Sequence, residues 1–243
     1  MGLTFPCYSF RMAARAKIAV VTGATRGIGL AIAEQLSQRG FRLILVGRDE
    51  RLLAKIAARL PNSTAHACDI RNPESVARLG AALRKLRRVD VLINNAGIAG
   101  PLQPIATLDF ATWCEVVETN LHGTFLVTTA ILPLMKKGAV IVNNLSVAAR
   151  TSFPDMAAYN ASKRGLLGFT DTLREEMRER KIRVVALLPG ATDTAIWKQF
   201  WPNAPRRSMV APDTVGRLVA EAVTLPLNAN VEEIVITPSA GKL

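Results

Sequence analysis

The chain has 243 residues and a mass of 26.3 kDa, enough for one large α/β domain with its own hydrophobic core. Hydrophobic residues make up 49% and charged residues 21% of the sequence, which excludes intrinsically disordered, fibrous and low-complexity proteins. The formal net charge is +12, from 31 Lys and Arg against 19 Asp and Glu. Such an excess favours anionic ligands, acidic partner proteins or nucleic acid, without choosing among them.

The basic residues are spread from Arg11 to Lys242, and many lie in helix-like stretches such as residues 84–88. We interpret them mainly as solvated helix faces, and expect no nucleic-acid partner. The 3 cysteines are too few and too scattered for a disulfide framework or a zinc site, so we expect a cytoplasmic protein without a metal. No apolar run reaches the roughly 18 residues of a membrane span, so we expect no membrane partner.

The chain divides into a short leader and one domain. Residues 1–14 are expected to form a flexible N-terminal leader, and Met12 is an alternative start. Residues 15–243 contain no internal repeat and no linker rich in Gly, Pro or Ser. They are therefore predicted to form a single domain.

Short apolar runs alternate with longer amphipathic ones along this domain. Runs without polar alternation, typical of strands buried on both faces, occupy residues 17–21, 42–46, 90–94, 139–143 and 182–187. Helical patterns occupy residues 27–39, 50–60, 73–87, 108–136, 156–180 and 212–224. The alternation predicts a doubly wound parallel sheet, Rossmann-like, with helices on both faces. Ligands of such sheets bind beyond the carboxyl ends of the strands.

The first strand end carries a glycine-rich turn, Thr22-Gly-Ala-Thr-Arg-Gly-Ile-Gly29. Gly23, Gly27 and Gly29 allow a tight turn and close approach of a pyrophosphate, which the free N–H groups of the following helix attract. The spacing is G-x-x-x-G-x-G rather than G-x-G-x-x-G, so a simple tight turn is the alternative.

The second strand end predicts which cofactor would bind. An NAD-binding Rossmann domain places an acid there to hold the ribose 2′-hydroxyl, whereas this chain has Gly47-Arg48. Arg48 can pair with a 2′-phosphate in bidentate fashion, and Arg26 on the glycine turn can hold the same group. The implied cofactor is NADP(H).

A second constellation carries acid–base chemistry. Tyr159 and Lys163 are four residues apart, so on a helix both project from one face. A free tyrosine has a pKa of about 10, and a nearby cation favours the phenolate and lowers that pKa. Ser146 precedes Tyr159 at the same carboxyl edge and can donate to a carbonyl oxygen. A core tyrosine with a solvated lysine and a turn serine is the alternative.

From about Lys17 to Thr237 the chain resembles the short-chain dehydrogenase/reductase family, in its glycine turn, Asn94-Asn-Ala-Gly97, Asn120, Ser146, Tyr159-x-x-x-Lys163 and Pro189-Gly190. The resemblance implies that Tyr159 is the proton donor, that Lys163 lowers its pKa and binds the nicotinamide ribose, that Ser146 holds the substrate oxygen, and that Asn120 supports a water relay to Lys163. Asp69 would hydrogen-bond the adenine amino group. The implied cofactor contacts are Gly23, Thr25, Arg26, Gly27, Ile28, Gly29, Arg48, Asp69, Ile70, Asn95, Ala96, Gly97, Tyr159, Lys163, Pro189, Gly190, Thr192 and Thr194.

Two short stretches depart from the family pattern. Asn144 and Leu145 precede Ser146 where an aliphatic residue and then Ser or Gly are common, and Thr192 stands where Val is frequent. These departures put a substrate taken by analogy in doubt, but they leave the catalytic set intact. A serine hydrolase is set aside because Ser146 has no G-x-S-x-G context.

The expected function is an NADP(H)-dependent oxidoreductase acting on a ketone or secondary alcohol. A non-catalytic NADP(H) sensor or scaffold, or a nucleic-acid binder, remains the alternative. The resemblance implies a homodimer or homotetramer formed through the helices at 108–136 and 156–180. An acidic acyl carrier protein is compatible with the charge.

The long segment 194–211 after the sixth strand is predicted to act as a lid over the carboxyl edge. Trp197 and Phe200 would bind substrate, and Arg206 and Arg207 would stand at the rim. The pocket would then be apolar and favour a bulky ketone or a β-ketoacyl compound. Packing of Trp197 and Trp201 onto the domain or a neighbouring subunit is the alternative.

Overall fold

The computed structural model describes residues 15–199, 201 and 203–241. The leader predicted at residues 1–14 and the predicted substrate contact Phe200 lie outside the described residues. No helix among the described residues is long and apolar enough to cross a bilayer.

Seven parallel strands form one sheet in the described part of the chain. They are β1 (Ile18–Thr22), β2 (Arg42–Gly47), β3 (Ser63–Ala67), β4 (Val89–Asn94), β5 (Met135–Asn144), β6 (Arg183–Pro189) and β7 (Glu233–Ile236). Their order is β3-β2-β1-β4-β5-β6-β7. The chain winds outwards from β1 in one direction, then returns to β4 and winds in the other. The predicted doubly wound fold is confirmed, and the reversal opens a crevice beyond the carboxyl ends of β1 and β4.

Helices cover both faces of the sheet. They are α1 (Gly27–Gln38), α2 (Glu50–Arg59), α3 (Pro73–Leu83), α4 (Phe110–Val117), α5 (Gly123–Ile131), α6 (Ala157–Met177) and α7 (Pro212–Thr224). Apolar side chains of α1, α2 and α7 form the core on one face. Those of α3, α5 and α6 form the core on the other face. The continuous apolar runs of the central strands are explained because both of their faces are buried.

The helix predicted over residues 108–136 is helical from Phe110 to Ile131, but it is interrupted and ends earlier than predicted. The segment contains α4, a π-helical turn at Glu118–His122, α5 and a 3-10 turn at Leu132–Leu134. Pro133 has no N–H to continue the helix, and Met135 already begins β5. The predicted helix at 73–87 likewise ends at Leu83, followed by a 3-10 turn at Arg84–Leu86.

The two edge strands differ from the central ones, β3 in lacking an apolar run and β7 in being short. β3 reads STAHA and is half-buried or exposed throughout, and it pairs with β2. β7 has only four residues and pairs with β6. Edge strands face solvent on one side, so they need no continuous apolar run.

Candidate active site

The glycine turn joins β1 to α1 at the crevice. Gly23 has φ +64°, and a Cβ on it would lie 2.8 Å from the Cα of Ala96. A Cβ on Gly29 would lie 2.4 Å from the main-chain oxygen of Gly23, so only glycine allows the turn to fold this closely onto the helix. No side chain caps the N-terminus of α1 at Arg26. Its first N–H groups are therefore available to an anion.

Asn95 ties the glycine turn to the ends of β4 and β5. Its Nδ2 donates to the main-chain oxygens of Thr22 at 3.0 Å and Gly23 at 3.2 Å. Its Oδ1 accepts from Nδ2 of Asn144 at 2.8 Å. The departure from the family pattern at Asn144 thus gives this chain a polar link across the crevice, and leaves Oδ1 of Asn144 buried without a hydrogen-bond partner.

A polar cavity of about 220 Å³ occupies the β2 side of the crevice. Arg26 and Arg48 line it together with Asp69 and Ile70, at the ends of β1, β2 and β3. The two arginines predicted to hold a 2′-phosphate therefore share one cavity with the aspartate predicted to bind adenine.

Arg71 is a further residue of this cavity that sequence analysis missed. Its guanidinium donates to both carboxylate oxygens of Asp69, at distances between 2.7 and 3.2 Å, and to Glu115 at 3.3 Å. The Arg71 hydrogen bond is the main reason that the pKa of Asp69 lies below its usual value. Because Arg71 occupies both carboxylate oxygens, the predicted bond from adenine to Asp69 must share that carboxylate or displace Arg71.

The reactive side chains gather in a second, apolar cavity of about 560 Å³. Ser146 follows β5, and Tyr159 lies near the start of α6; both line this cavity, and the Oγ of Ser146 accepts from the N–H of Ala148 at 3.1 Å. Burial raises the pKa of Tyr159, and the nearby Ser146 hydroxyl offsets part of that rise. The lowering of this pKa that the resemblance implies for Lys163 stays a prediction. The Nζ of Lys163 lies 5.7 Å from the ring centroid of Tyr159, and burial dominates.

Lys163 is 5% exposed and lies one helical turn after Tyr159. Its Nζ donates to the main-chain oxygen of Asn144 at 2.9 Å. Burial lowers the pKa of Lys163 to about 8. The ammonium group is thus held close to Tyr159, in a buried environment that favours the neutral form of the lysine.

Asn120 lies in the π-helical turn between α4 and α5 and is buried. It is pinned by Ile98, whose N–H donates to Oδ1 and whose oxygen accepts from Nδ2, both at 2.9 Å. A Cβ on Gly97 would be 3.0 Å from Oδ1 of Asn120 and 3.6 Å from Nζ of Lys163. Asn120 therefore lies behind Lys163, where π-turns frequently mark functional sites.

The segment after β6 forms part of the wall of the apolar cavity. Trp197 and Trp201 both line it, with their ring centroids 6.0 Å apart in an edge-to-face arrangement. Trp197 donates from Nε1 to the main-chain oxygen of Thr192 at 2.8 Å. Arg206 is ion-paired with Asp193, and neither Arg206 nor Arg207 lines this cavity.

Most of the predicted site residues meet along this groove. The polar cavity is lined by Gly23, Thr25, Arg26, Gly27, Ile28, Arg48, Asp69, Ile70, Asn95, Ala96, Gly97 and Thr194. The apolar cavity is lined by Ile28, Asn95, Gly97, Ser146, Tyr159, Lys163, Pro189, Gly190, Thr192, Thr194 and Trp197. Gly29 and Asn120 line neither cavity and lie behind the walls. The two cavities share residues, among them Asn95, Asn144 and Thr194, so they form one continuous groove.

Known proteins share both the sequence pattern and the fold. The pattern of the short chain dehydrogenase family matches residues 17–205. Sulfoacetaldehyde reductase 2 of Chromohalobacter salexigens is 33% identical over 237 residues, covering 91% of this chain and 94% of the relative.

Two solved structures are also similar. An alcohol dehydrogenase from Thermococcus sibiricus, complexed with 5-hydroxy-NADP, superposes with a TM-score of 0.86 at 29% identity, over 94% of this chain and 99% of that one. A 3-ketoacyl-(acyl-carrier-protein) reductase from Brucella melitensis, complexed with NADH, has a TM-score of 0.84 at 30% identity, over 92% and 97%.

The seven-stranded parallel sheet, with its site at the carboxyl edge, defines a Rossmann-like α/β protein. With the sequence match, it follows that the chain belongs to the short-chain dehydrogenase family. The resemblance stated from its motifs is confirmed at this level.

Proposed function

We propose that this protein is an NADP(H)-dependent oxidoreductase that transfers a hydride between the nicotinamide and a ketone or secondary alcohol. The observation that carries the proposal is that Ser146, Tyr159 and Lys163 line one apolar cavity, with the Nζ of Lys163 5.7 Å from the Tyr159 ring centroid. Two hydroxyl groups that line one cavity can bind a single carbonyl oxygen. The similar proteins named above include reductases and an alcohol dehydrogenase, which agrees with this chemistry.

The groove fits an extended dinucleotide. The uncapped start of α1 offers N–H groups to a pyrophosphate, and the polar cavity on its β2 side offers Arg26 and Arg48 to a 2′-phosphate. A cofactor bound from the polar to the apolar cavity would place its nicotinamide end beside Tyr159 and Lys163. The solved structures named above hold 5-hydroxy-NADP in one case and NADH in the other, so the preference for NADP(H) is supported by Arg48 and Arg26 alone.

When bound, the nicotinamide supplies or accepts the hydride. The chain's own side chains then handle the carbonyl oxygen and its proton. Ser146 would donate a hydrogen bond that holds the oxygen, and Tyr159 would deliver its hydroxyl proton as negative charge develops there. A tyrosine hydroxyl keeps its proton at neutral pH, and burial favours the protonated form further, as a proton donor for reduction requires.

Lys163 would act on the same proton transfer through its charge. A protonated lysine next to Tyr159 stabilises the phenolate that remains after the proton has left. Asn120, fixed by Ile98 behind Gly97, would position a water that returns a proton to Lys163. The catalytic set of this proposal is therefore Asn120, Ser146, Tyr159 and Lys163.

The proposed substrate is a bulky apolar ketone or a β-ketoacyl compound. The cavity next to Tyr159 is walled by Leu102, Phe153, Met156, Trp197 and Trp201. Such a wall should bind a small charged hydroxy acid weakly and a large apolar group well, because the free energy gained on binding grows with the apolar area that is buried. An acyl carrier protein as donor of the substrate remains compatible with the charge of +12.

We also propose a homodimer or homotetramer. Phe110 on α4 is 78% exposed and Phe125 on α5 is 49% exposed. Phe125 contacts Phe169 of α6 edge to face, with 6.1 Å between ring centroids. Large apolar side chains that remain exposed on neighbouring helices favour burial against another subunit.

The test is a screen of NADPH oxidation against bulky ketones, quinones, β-keto esters and acyl thioesters, with small hydroxy acids tested in reverse with NADP⁺. We expect turnover of at least one bulky carbonyl compound and none of the small hydroxy acids. NADPH binding without turnover of any compound would favour a cofactor sensor or scaffold and would overturn the proposed reaction.

A further inference from the structure

The sheet edge opposite the candidate active site carries a row of basic side chains. The five neighbouring strands β2, β1, β4, β5 and β6 all begin at this edge. Exposed basic residues stand within two residues of each of these strand starts; Arg183, which begins β6, is half-buried and is not counted. They are Lys17, Arg42, Arg87, Arg88, Lys136, Lys137 and Lys181, and we call this set the basic edge.

Strand pairing makes the basic edge continuous. The N–H of Arg42 donates to the oxygen of Lys17 at 2.8 Å, where β2 meets β1. Val89, next to Arg88, pairs with Met135, next to Lys136. The N–H of Gly138 donates to the oxygen of Lys181 at 2.9 Å. Because paired strands are about 4.8 Å apart, the row extends about 19 Å along the sheet edge.

The charge of the basic edge is exposed and largely unpaired. All seven side chains are exposed. Arg88 is ion-paired with Asp90, but within the described part of the chain no carboxylate lies within 4 Å of the other six basic groups. Exposed carboxylates near the row are Glu179 and Glu232 on the β6 side and Glu221, which is ion-paired with Arg39 three residues before Arg42.

Arg88 has a structural partner in the buried Asp90, but Lys17, Arg42, Lys136 and Lys137 have no ion-pair partner in the described part of the chain. A cationic side chain at a helix C-terminus interacts favourably with the helix dipole, and this explains the position of many arginines in proteins. Lys17, Arg42, Arg88, Lys136 and Lys137 stand instead at strand starts. Their charge, gathered on one surface, differs from the scattered helix faces that the sequence suggested.

The chemistry of the basic edge indicates what it can bind. The large apolar side chains exposed among the described residues include three aromatic ones, Phe110, Phe125 and Trp201, and these lie on α4, on α5 and after β6. A charged row without aromatic rings can contact phosphates but cannot stack on nucleobases. Proteins that bind single-stranded nucleic acid commonly rely on such stacking, so the row does not fit a single strand. Strand pairing fixes the main-chain positions of the row, and its exposed side chains can reach the regularly spaced phosphates of a duplex.

We propose that the basic edge binds duplex nucleic acid through its phosphates, without sequence preference. The proposal is independent of the proposed reaction. β1 has 5 residues, so the basic edge and the cofactor crevice are separated by about 16 Å of strand. A bound duplex would therefore leave the crevice open.

The test uses the full chain and a short fluorescent duplex, in an RNA and a DNA version, with binding followed by anisotropy over a series of salt concentrations. Each phosphate neutralised contributes about −0.9 to the slope of log affinity against log salt. The six basic side chains without an ion pair therefore give an expected slope of log affinity against log salt of about −5. The variant K136Q/K137Q/K181Q should bind more weakly, with a slope shallower by about 2.7.

The matched control is R51Q/K55Q/R78Q, which removes the same charge from exposed helical positions elsewhere that, like the tested ones, have no ion pair in the described part of the chain. We expect the control to keep the wild-type slope, and both variants to keep the wild-type affinity for NADPH. Equal losses in the two variants would show a general charge effect and overturn the proposal. So would the absence of duplex binding at low salt, or binding of phosphatidylserine vesicles in place of either duplex.

Discussion

The Nζ of Lys163 donates a hydrogen bond to the main-chain oxygen of Asn144 at 2.9 Å, and this bond holds the lysine in a site where burial lowers its pKa to about 8. A lysine with a lowered pKa loses its charge at a lower pH than a free one. If the charge assists Tyr159, kcat/KM for carbonyl reduction should fall as pH rises through about 8. The phenol does not titrate there, because burial raises the pKa of Tyr159.

The control for this pH dependence is Lys163→Arg. A guanidinium keeps its charge across this range, so the activity that remains in the variant should show no decline near pH 8. The measurement is the pH profile of kcat/KM at saturating cofactor for both proteins. A decline at the same pH in the Lys163→Arg variant would assign it to another group.

Arg48 is expected to determine the cofactor preference. Charge-assisted contacts contribute roughly 1.5 to 3 kcal/mol, so kcat/KM with NADPH should exceed that with NADH by about one to two decades. Arg48→Asp should repel the 2′-phosphate and close or reverse the gap. Arg51→Asp, an equal charge change at an exposed residue that lines neither cavity, should preserve it. Equal use of both cofactors by the wild type would contradict the role given to Arg48.

Arg71 should bind the adenine end of the cofactor without distinguishing NADPH from NADH. Its guanidinium is held by Asp69 and Glu115 in the wall of the polar cavity, where its plane can stack on a base. Arg71→Ala should weaken both cofactors alike by roughly two- to thirty-fold, and Arg71→Lys should restore little. Titration of each cofactor by fluorescence measures this. Tighter binding of both cofactors to the Arg71→Ala variant would contradict this role, and would indicate that Arg71 keeps adenine from the carboxylate of Asp69.

The sequence predicts the buried parts of the fold well, because burial on both faces leaves a continuous apolar run. β1 and β4 are recognisable for this reason, as are the glycine turn and the Tyr159–Lys163 spacing. β3 gives no such signal, since a half-exposed edge strand needs no apolar run. The π-helical turn around Asn120 is invisible as well, because it interrupts a helical pattern without a proline or glycine inside it.

Features that depend on distant residues could not be predicted. Arg71 pairs mainly with Asp69, two residues earlier, but its contact with Glu115 of α4, 44 residues away, and its place in the wall of the polar cavity arise only when the chain folds. The raised pKa of Tyr159 is a second example. Its spacing from Lys163 indicates a favourable charge, but the depth of burial, which the sequence does not encode locally, dominates.

Trp197 is expected to contact the apolar part of the substrate. Its ring lines the cavity beside Trp201, and its Nε1 is anchored to the oxygen of Thr192. Trp197→Ala should raise KM for a bulky ketone more than for a small one, and should leave NADPH affinity nearly unchanged. Steady-state kinetics with a graded ketone series measures this. Equal effects on large and small ketones, or dissociation of an oligomer, would indicate a packing role instead.

The most direct test of the proposed chemistry is the variant Tyr159→Phe, measured for both NADPH affinity and turnover of a ketone substrate. The substitution keeps the ring and its packing but removes the only transferable proton of that side chain. We expect NADPH affinity and thermal stability close to wild type, and kcat lower by about 10² to 10⁴. Turnover near the wild-type rate in this variant would contradict the assignment of Tyr159 as the proton donor.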